Sequence, residues 1–178
     1  MTDAIEITKI GLTELEQLQD IGRQTFFETF AGGNTAENMQ AYMEEGFSAD
    51  KLTAELMNPS SEFYFAILGR QVVGYLKLNS GQAQTELTDD EALEIERIYV
   101  LKEFHGKKVG QILFDTALDR ARQAKVAYLW LGVWEENPRA ISFYRKNGFV
   151  AFGKHIFTLG DDAQTDIMMK LEMSAAPA

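Results

Sequence analysis

Glu94 and Glu96 stand two residues apart in an alternating stretch, residues 93–100, that reads as a β-strand. Side chains two apart on a strand share a face. Both carboxylates therefore project together, with Ile95 and Arg97 on the other face. A carboxylate beside an amine can take its proton, through water if need be. Glu96 is the first candidate for such a base, and Glu94 stays open beside it. Just downstream runs Phe104-His105-Gly106-Lys107-Lys108-Val109-Gly110-Gln111, a junction from strand through loop to helix. Its glycines, Gly106 and Gly110, let backbone N–H groups come close to a polyanion, and the helix N-terminus adds a favourable dipole. With Lys107 and Lys108 beside it, the junction reads as a pyrophosphate cradle. Neither Gly-x-x-x-x-Gly-Lys-Ser/Thr nor Gly-x-Gly-x-x-Gly is present. His155 reads as a strand residue rather than a catalyst.

The elements that must hold these residues follow from periodicity and punctuation. Ile5-Glu6-Ile7 begins a first strand. Thr13 caps a helix, with Glu16 completing a capping box, and that helix runs toward Phe30 and stops near Gly32-Gly33. Asn34 or Thr35 caps a second helix carrying Met39, Tyr42 and Met43. Ser48 opens a third, which ends before Pro59. Residues 63–68 and 72–79 form two strands around a tight Gly69-Arg70-Gln71 turn, and residues 80–91 form a polar loop. After the strand at 93–100 come a helix over Val109–Ala124, an apolar strand over Tyr128–Trp134, and a short helix over residues 138–147 opened by Pro138 and closed by Gly148. Residues 149–159 and 165–171 form a terminal hairpin. A strand–helix–strand unit between hairpins implies one parallel pair with a right-handed crossover inside a mixed sheet, with helices on both faces.

The bulk composition bounds the function. The 178 residues suit a single α/β domain, taken as 1–172, with a frayed tail over 173–178. A formal net charge of −10 leaves no basic face for nucleic acid. The absence of cysteine excludes disulfides, thiolate metal sites and cysteine nucleophiles, and no metal is expected. There is no signal-peptide pattern and no apolar stretch of membrane-spanning length, so a cytoplasmic protein without membrane contact is expected.

Two segments carry a resemblance. Residues 105–110 resemble motif A of the GCN5-related N-acetyltransferase (GNAT) superfamily, Arg/Gln-x-x-Gly-x-Gly/Ala. Gly110 matches its last position, His105 stands where arginine or glutamine is usual, and Lys108 where glycine is usual. Residues 128–149 resemble motif B: a strand, then Asn137, Ala140-Ile141, Phe143-Tyr144 and Gly148-Phe149 at the family spacing. The resemblance implies the GNAT fold, a mixed sheet of about seven strands with a splayed parallel pair, and acetyl-CoA (or CoA) as its cofactor. It implies that the backbone of Ile98, Tyr99 and Val100 pairs with the pantetheine arm and that the turn from His105 through Gly106, Lys107, Lys108, Val109 and Gly110 to Gln111 holds the pyrophosphate. Asn137, Tyr144 and Lys146 join them as cofactor contacts. Tyr144 takes the place of the general acid near the cofactor sulfur, and backbone N–H near Val100 that of the oxyanion donor.

The N-terminal half is similar to the PaiA-like acetyltransferases, on Thr25-Phe26-Phe27-Glu28-Thr29-Phe30, Asn34-Thr35-Ala36-Glu37-Asn38-Met39 and Tyr42-Met43. That family is associated with acetylating spermidine and spermine. On this likeness the acceptor is a small cationic amine, with Glu28 and Glu37 supplying charge and Phe30 and Tyr42 lining its methylene path. The competing readings are acetylation of a protein N-terminus, a lysine or another small amine, and a CoA-binding regulator with little turnover. A homodimer is common in the superfamily.

Overall fold

The computed structural model describes residues 4–173. Seven strands form one sheet in the order β1-β2-β3-β4-β5-β7-β6, and five α-helices cover it. The chain runs β1 (Ile5–Lys9), α1 (Leu15–Phe30), α2 (Ala36–Gly46), α3 (Ala49–Met57), β2 (Ser61–Leu68), β3 (Gln71–Ser80), β4 (Ala92–Val100), α4 (Val109–Ala124), β5 (Tyr128–Trp134), α5 (Pro138–Lys146), β6 (Val150–Leu159) and β7 (Asp162–Glu172). Every pairing is antiparallel except β4 with β5. That parallel ladder spans only Ala92↔Tyr128 to Ile95↔Leu131. Beyond it, β4 continues to Val100 and β5 to Trp134 with no ladder between them.

Each face of the sheet has its own core. Leu113, Phe114, Ala117 and Ala121 of α4, with Ile141 and Tyr144 of α5, pack on Leu93, Ile95, Leu129, Leu131 and Val133. On the opposite face, Leu18, Ile21, Phe26 and Phe30 of α1 and Leu52 of α3 pack on Phe63, Phe65 and Tyr75. The helical period of α1 and α4 turns one apolar stripe inward on each.

Some local features differ from the sequence reading. The cap falls on Gly11 and Glu14, not Thr13 and Glu16, and is only half a capping box because glycine has no side chain to return the bond. The Glu14 carboxylate accepts from Gly11 N–H at 2.9 Å, and a 3₁₀ turn over Leu12–Glu14 precedes α1. The β6–β7 turn is tighter than expected because Gly160 takes a left-handed conformation (φ 65°). Met173 is tied down, its N–H donating to Ala127 carbonyl at 2.8 Å, and the rest of the expected frayed tail, 174–178, lies outside the described residues. Among the described residues no helix is long and apolar enough to cross a membrane.

Candidate active site

The short parallel ladder leaves a slot between the upper halves of β4 and β5. It opens into a cleft of about 1000 Å³. Ile98, Tyr99 and Val100 of β4 form one wall, and Gly132, Val133 and Trp134 of β5 the other. Because β5 pairs no strand on that side beyond Leu131, the β4-facing backbone there can pair with an extended ligand.

At one end of the cleft lies the first turn of α4. Lys108 caps it in the left-handed region (φ 67°), after Gly106 at φ 80°. Among the described residues, the N–H groups of Val109, Gly110 and Gln111 have no acceptor, and the first intrahelical bond is Ile112 N–H to Lys108 carbonyl. Free donors at the positive end of a 16-residue helix suit a polyanion. Gly106, Lys108 and Gly110 line the cleft, but Lys107 does not: its ammonium lies 5.1 Å from the Phe104 ring centroid.

His105 is held from two sides. Its Nε2 lies 2.9 Å from the Val100 carbonyl and its Nδ1 2.5 Å from Arg139 Nη1. A carbonyl only accepts and a guanidinium only donates, so Nε2 carries the proton and Nδ1 accepts. This brings Arg139 to the cleft, a residue that sequence reasoning passed over although it stands beside Pro138 in the motif-B segment. Asn137 accepts from Ala140 N–H at 3.2 Å as the cap of α5, which leaves its amide nitrogen for a ligand. Lys146 lines the cleft as well. Tyr144 is buried but reaches the cleft, and burial pushes its phenol well above the ordinary range.

The carboxylates sit across a β-bulge. Leu78 pairs with Ile95 and Lys77 with Arg97, so Glu96 is an extra residue in β4. The bulge flips the phase of the strand: Leu93 and Ile95 pack in the α4-side core, then Ile98 and Val100 do. Arg97 therefore shares a face with Glu96, which corrects the strict alternation read from sequence. Its guanidinium ion-pairs with Glu96 at 3.0 Å and Glu55 at 3.2 Å, 5.6 Å from the Phe47 ring centroid. Lys77 Nζ lies 2.5 Å from Glu55 and 2.8 Å from Glu96. Burial works to raise the Glu96 pKa, but Arg97 and Lys77 outweigh it and hold the group at about 2. Glu94 goes the other way. Burial raises its pKa against hydrogen bonds from the Thr85 hydroxyl (2.5 Å), Thr85 N–H (2.9 Å) and Asn79 (3.0 Å).

On the helical side, Phe30 and Tyr42 line the cleft, Tyr42 stacked on Phe26 at 4.4 Å. Glu28 and Glu37 do not line it. The apolar face of α1 turns inward, and Glu28 accepts instead from Lys102 N–H at 3.0 Å, tying α1 to the turn after β4. Glu37 is exposed in the first turn of α2. Glu86 and Asp166 line the cleft in their place. Neither was a site candidate in the sequence reading, because only the loop and hairpin packing brings them there. No group of three or more potential metal ligands occurs among the described residues.

The sequence model of the acetyltransferase (GNAT) family matches residues 16–149. The chain belongs to the GNAT family. It is 41% identical over 166 residues to an uncharacterised N-acetyltransferase in the pepI 3′ region of Lactobacillus delbrueckii subsp. lactis, covering 93% of this chain and 96% of that one. It is 28% identical over 150 residues to the spermidine N(1)-acetyltransferase of Thermoplasma acidophilum, covering 82% and 88%. The crystal structure of the PaiA N-acetyltransferase from the same organism, in complex with coenzyme A, superposes with a TM-score of 0.79 at 26% identity, covering 96% of this chain and 99% of that one. The GNAT chain described here is thus an acetyl-CoA-dependent acetyltransferase. Its slot and the free N–H groups of α4 fit a long ligand with a pyrophosphate.

Proposed function

We propose that this acetyltransferase acts on a primary amine of a small polycation of the spermidine class, by direct attack within the cleft. The observation that carries the reading is the polarity of that cleft. One end offers free helix donors for phosphate, and the other offers Glu86, Glu94 and Asp166 among Phe30, Tyr42 and Trp134. Carboxylates among aromatic surface suit ammonium groups on a methylene chain. The likeness to the Thermoplasma spermidine acetyltransferase supports the same acceptor class.

Acetyl-CoA, when bound, supplies the thioester carbon that a neutral amine attacks and the thiolate that leaves. The chain's own residues then divide the work. The backbone of Ile98, Tyr99 and Val100 aligns the pantetheine arm, and the first turn of α4 with Gly106 and Lys108 holds the phosphates. Glu94 takes the ammonium proton, through water, because a raised pKa brings it nearer to the value a base needs. Glu96, held at about 2, has little tendency to accept a proton and serves as a fixed negative charge. Tyr144, kept protonated by burial, donates to the leaving sulfur.

The test is an acceptor panel: release of free CoA from acetyl-CoA with spermidine, spermine, monoamines, lysine and a peptide N-terminus. Turnover highest with the polyamines is the expected result. Preference for the peptide would move the acceptor to protein, and no release above background with any amine would leave a CoA-binding regulator.

A further inference from the structure

Asp166 is a carboxylate that acetyl transfer itself does not use. It sits on β7, opposite Trp134 of β5 and His155 of β6, and lines the cleft. It is partly buried, and burial raises its pKa while the nearby His155 works against that. Among the described residues it makes no hydrogen bond and no salt bridge. Withdrawing a carboxylate from water without a partner costs free energy, so the site favours any cation that can reach it.

The basic side chains around it are engaged elsewhere. From β6, His155 Nδ1 lies 2.8 Å from Glu86 Oε1 of the 80–91 loop. From β3 and β4, Lys77 and Arg97 pair with Glu55 and Glu96. Glu86 and Glu94, which line the cleft with it, are acidic. Its Oδ2 faces Gly132, where a β-carbon would stand 3.5 Å away in ordinary contact. Gly132 is also the first β5 residue beyond the parallel ladder, so the carboxylate overlooks the mouth of the slot. Trp134, 5.1 Å from Phe30 between ring centroids, walls the path between them.

We infer that Asp166 holds a second cationic group of the acceptor, selecting amines with another ammonium or guanidinium a few methylenes from the reacting nitrogen. The inference rests on the proposed amine acetylation. The reacting nitrogen must be neutral, whereas its partner stays charged. From the slot between β4 and β5 to β7 is roughly one and a half strand spacings, about 7 Å, which a few methylenes bridge.

The experiment is calorimetric titration of the CoA-saturated protein with 1,4-diaminobutane and with 1-butylamine, in wild type, Asp166→Asn and Asp166→Glu. Wild type should bind the diamine about tenfold more tightly, the size of one partly buried ion pair. Asp166→Asn should lose that preference while keeping its affinity for CoA and butylamine, and Asp166→Glu should retain it. The inference is overturned if Asp166→Asn keeps the preference, if wild type shows none, or if Asp166→Asn weakens binding of both amines alike. Should Asp166→Asn fail to bind CoA, Asp166→Ser provides the same comparison. A diamine preference that depends on Asp166, with no acetylation of any amine, would instead refute the catalytic reading and leave the binding site standing.

Discussion

Tyr144 and Glu94 owe their raised pKa values to burial more than to any partner. Burial is the sole cause that raises the Tyr144 pKa and the largest that raises the Glu94 pKa. A phenol kept neutral in an apolar wall keeps its O–H in place to hydrogen-bond the sulfur as negative charge develops on it, with solvent completing the protonation of the thiolate. Tyr144→Phe should therefore lower kcat by about 10² to 10⁴, the usual range for a lost general acid, with little change in acetyl-CoA affinity. Steady-state kinetics beside a direct CoA titration separates the two, and an unchanged kcat would remove Tyr144 from the role. Both side chains were legible in the sequence, Tyr144 from the Phe-Tyr spacing and Glu94 from strand alternation. The sequence reading placed Glu96 before Glu94; the cations around Glu96 are the reason we propose the opposite order.

At the scale of elements, the turn into α4 carries a conformational cost. Lys108 occupies the left-handed region that glycine enters freely. Lys108→Gly and Lys108→Ala both remove the ammonium, but only glycine removes the β-carbon. The glycine variant should be more stable than the alanine variant by about 1 kcal/mol, or about 2–4 °C in Tm for a chain of this size. Equal melting temperatures would show that no strain is stored there. The glycine-to-lysine departure was visible in the sequence, but not that the backbone keeps its left-handed turn regardless. The helices and hairpins were legible because each has a local period or a turn residue. The bulge at Glu96 was not, since it arises from the register of β4 against β3, and register is a relation between strands.

For the whole molecule, the buried ion cluster links α3 to the centre of the sheet and ties stability to pH. The Glu96 pKa falls from an ordinary 4.5 to about 2 on folding, and its side chain is 17% exposed. A depressed carboxyl stabilises the folded state above its unfolded pKa, and that contribution, on the order of 3 kcal/mol, is lost as the pH drops from about 4.5 toward 2. Glu94 and Asp166, with raised values, act in the opposite sense and soften the loss. Urea midpoints at pH 7 and pH 3 should fall further for wild type than for Glu96→Gln, which begins less stable because Lys77 and Arg97 lose a partner. Equal losses would mean that Glu96 does not govern the acid limb.

The sequence by itself determined what depends on local spacing: the mixed α/β order, the parallel unit around α4, the glycine-bearing turn and the motif-B helix, and through these the GNAT family and its donor. Periodicity and caps act within a dozen residues, so one chain read in order reveals them. The tertiary structure alone decided what depends on distant segments meeting. It turned Arg97 onto the face of Glu96, left Glu28 and Glu37 outside the cleft, and brought Arg139, Glu86 and Asp166 into it. Those outcomes follow from strand register and from which helix face is buried against the sheet, and no single segment encodes either.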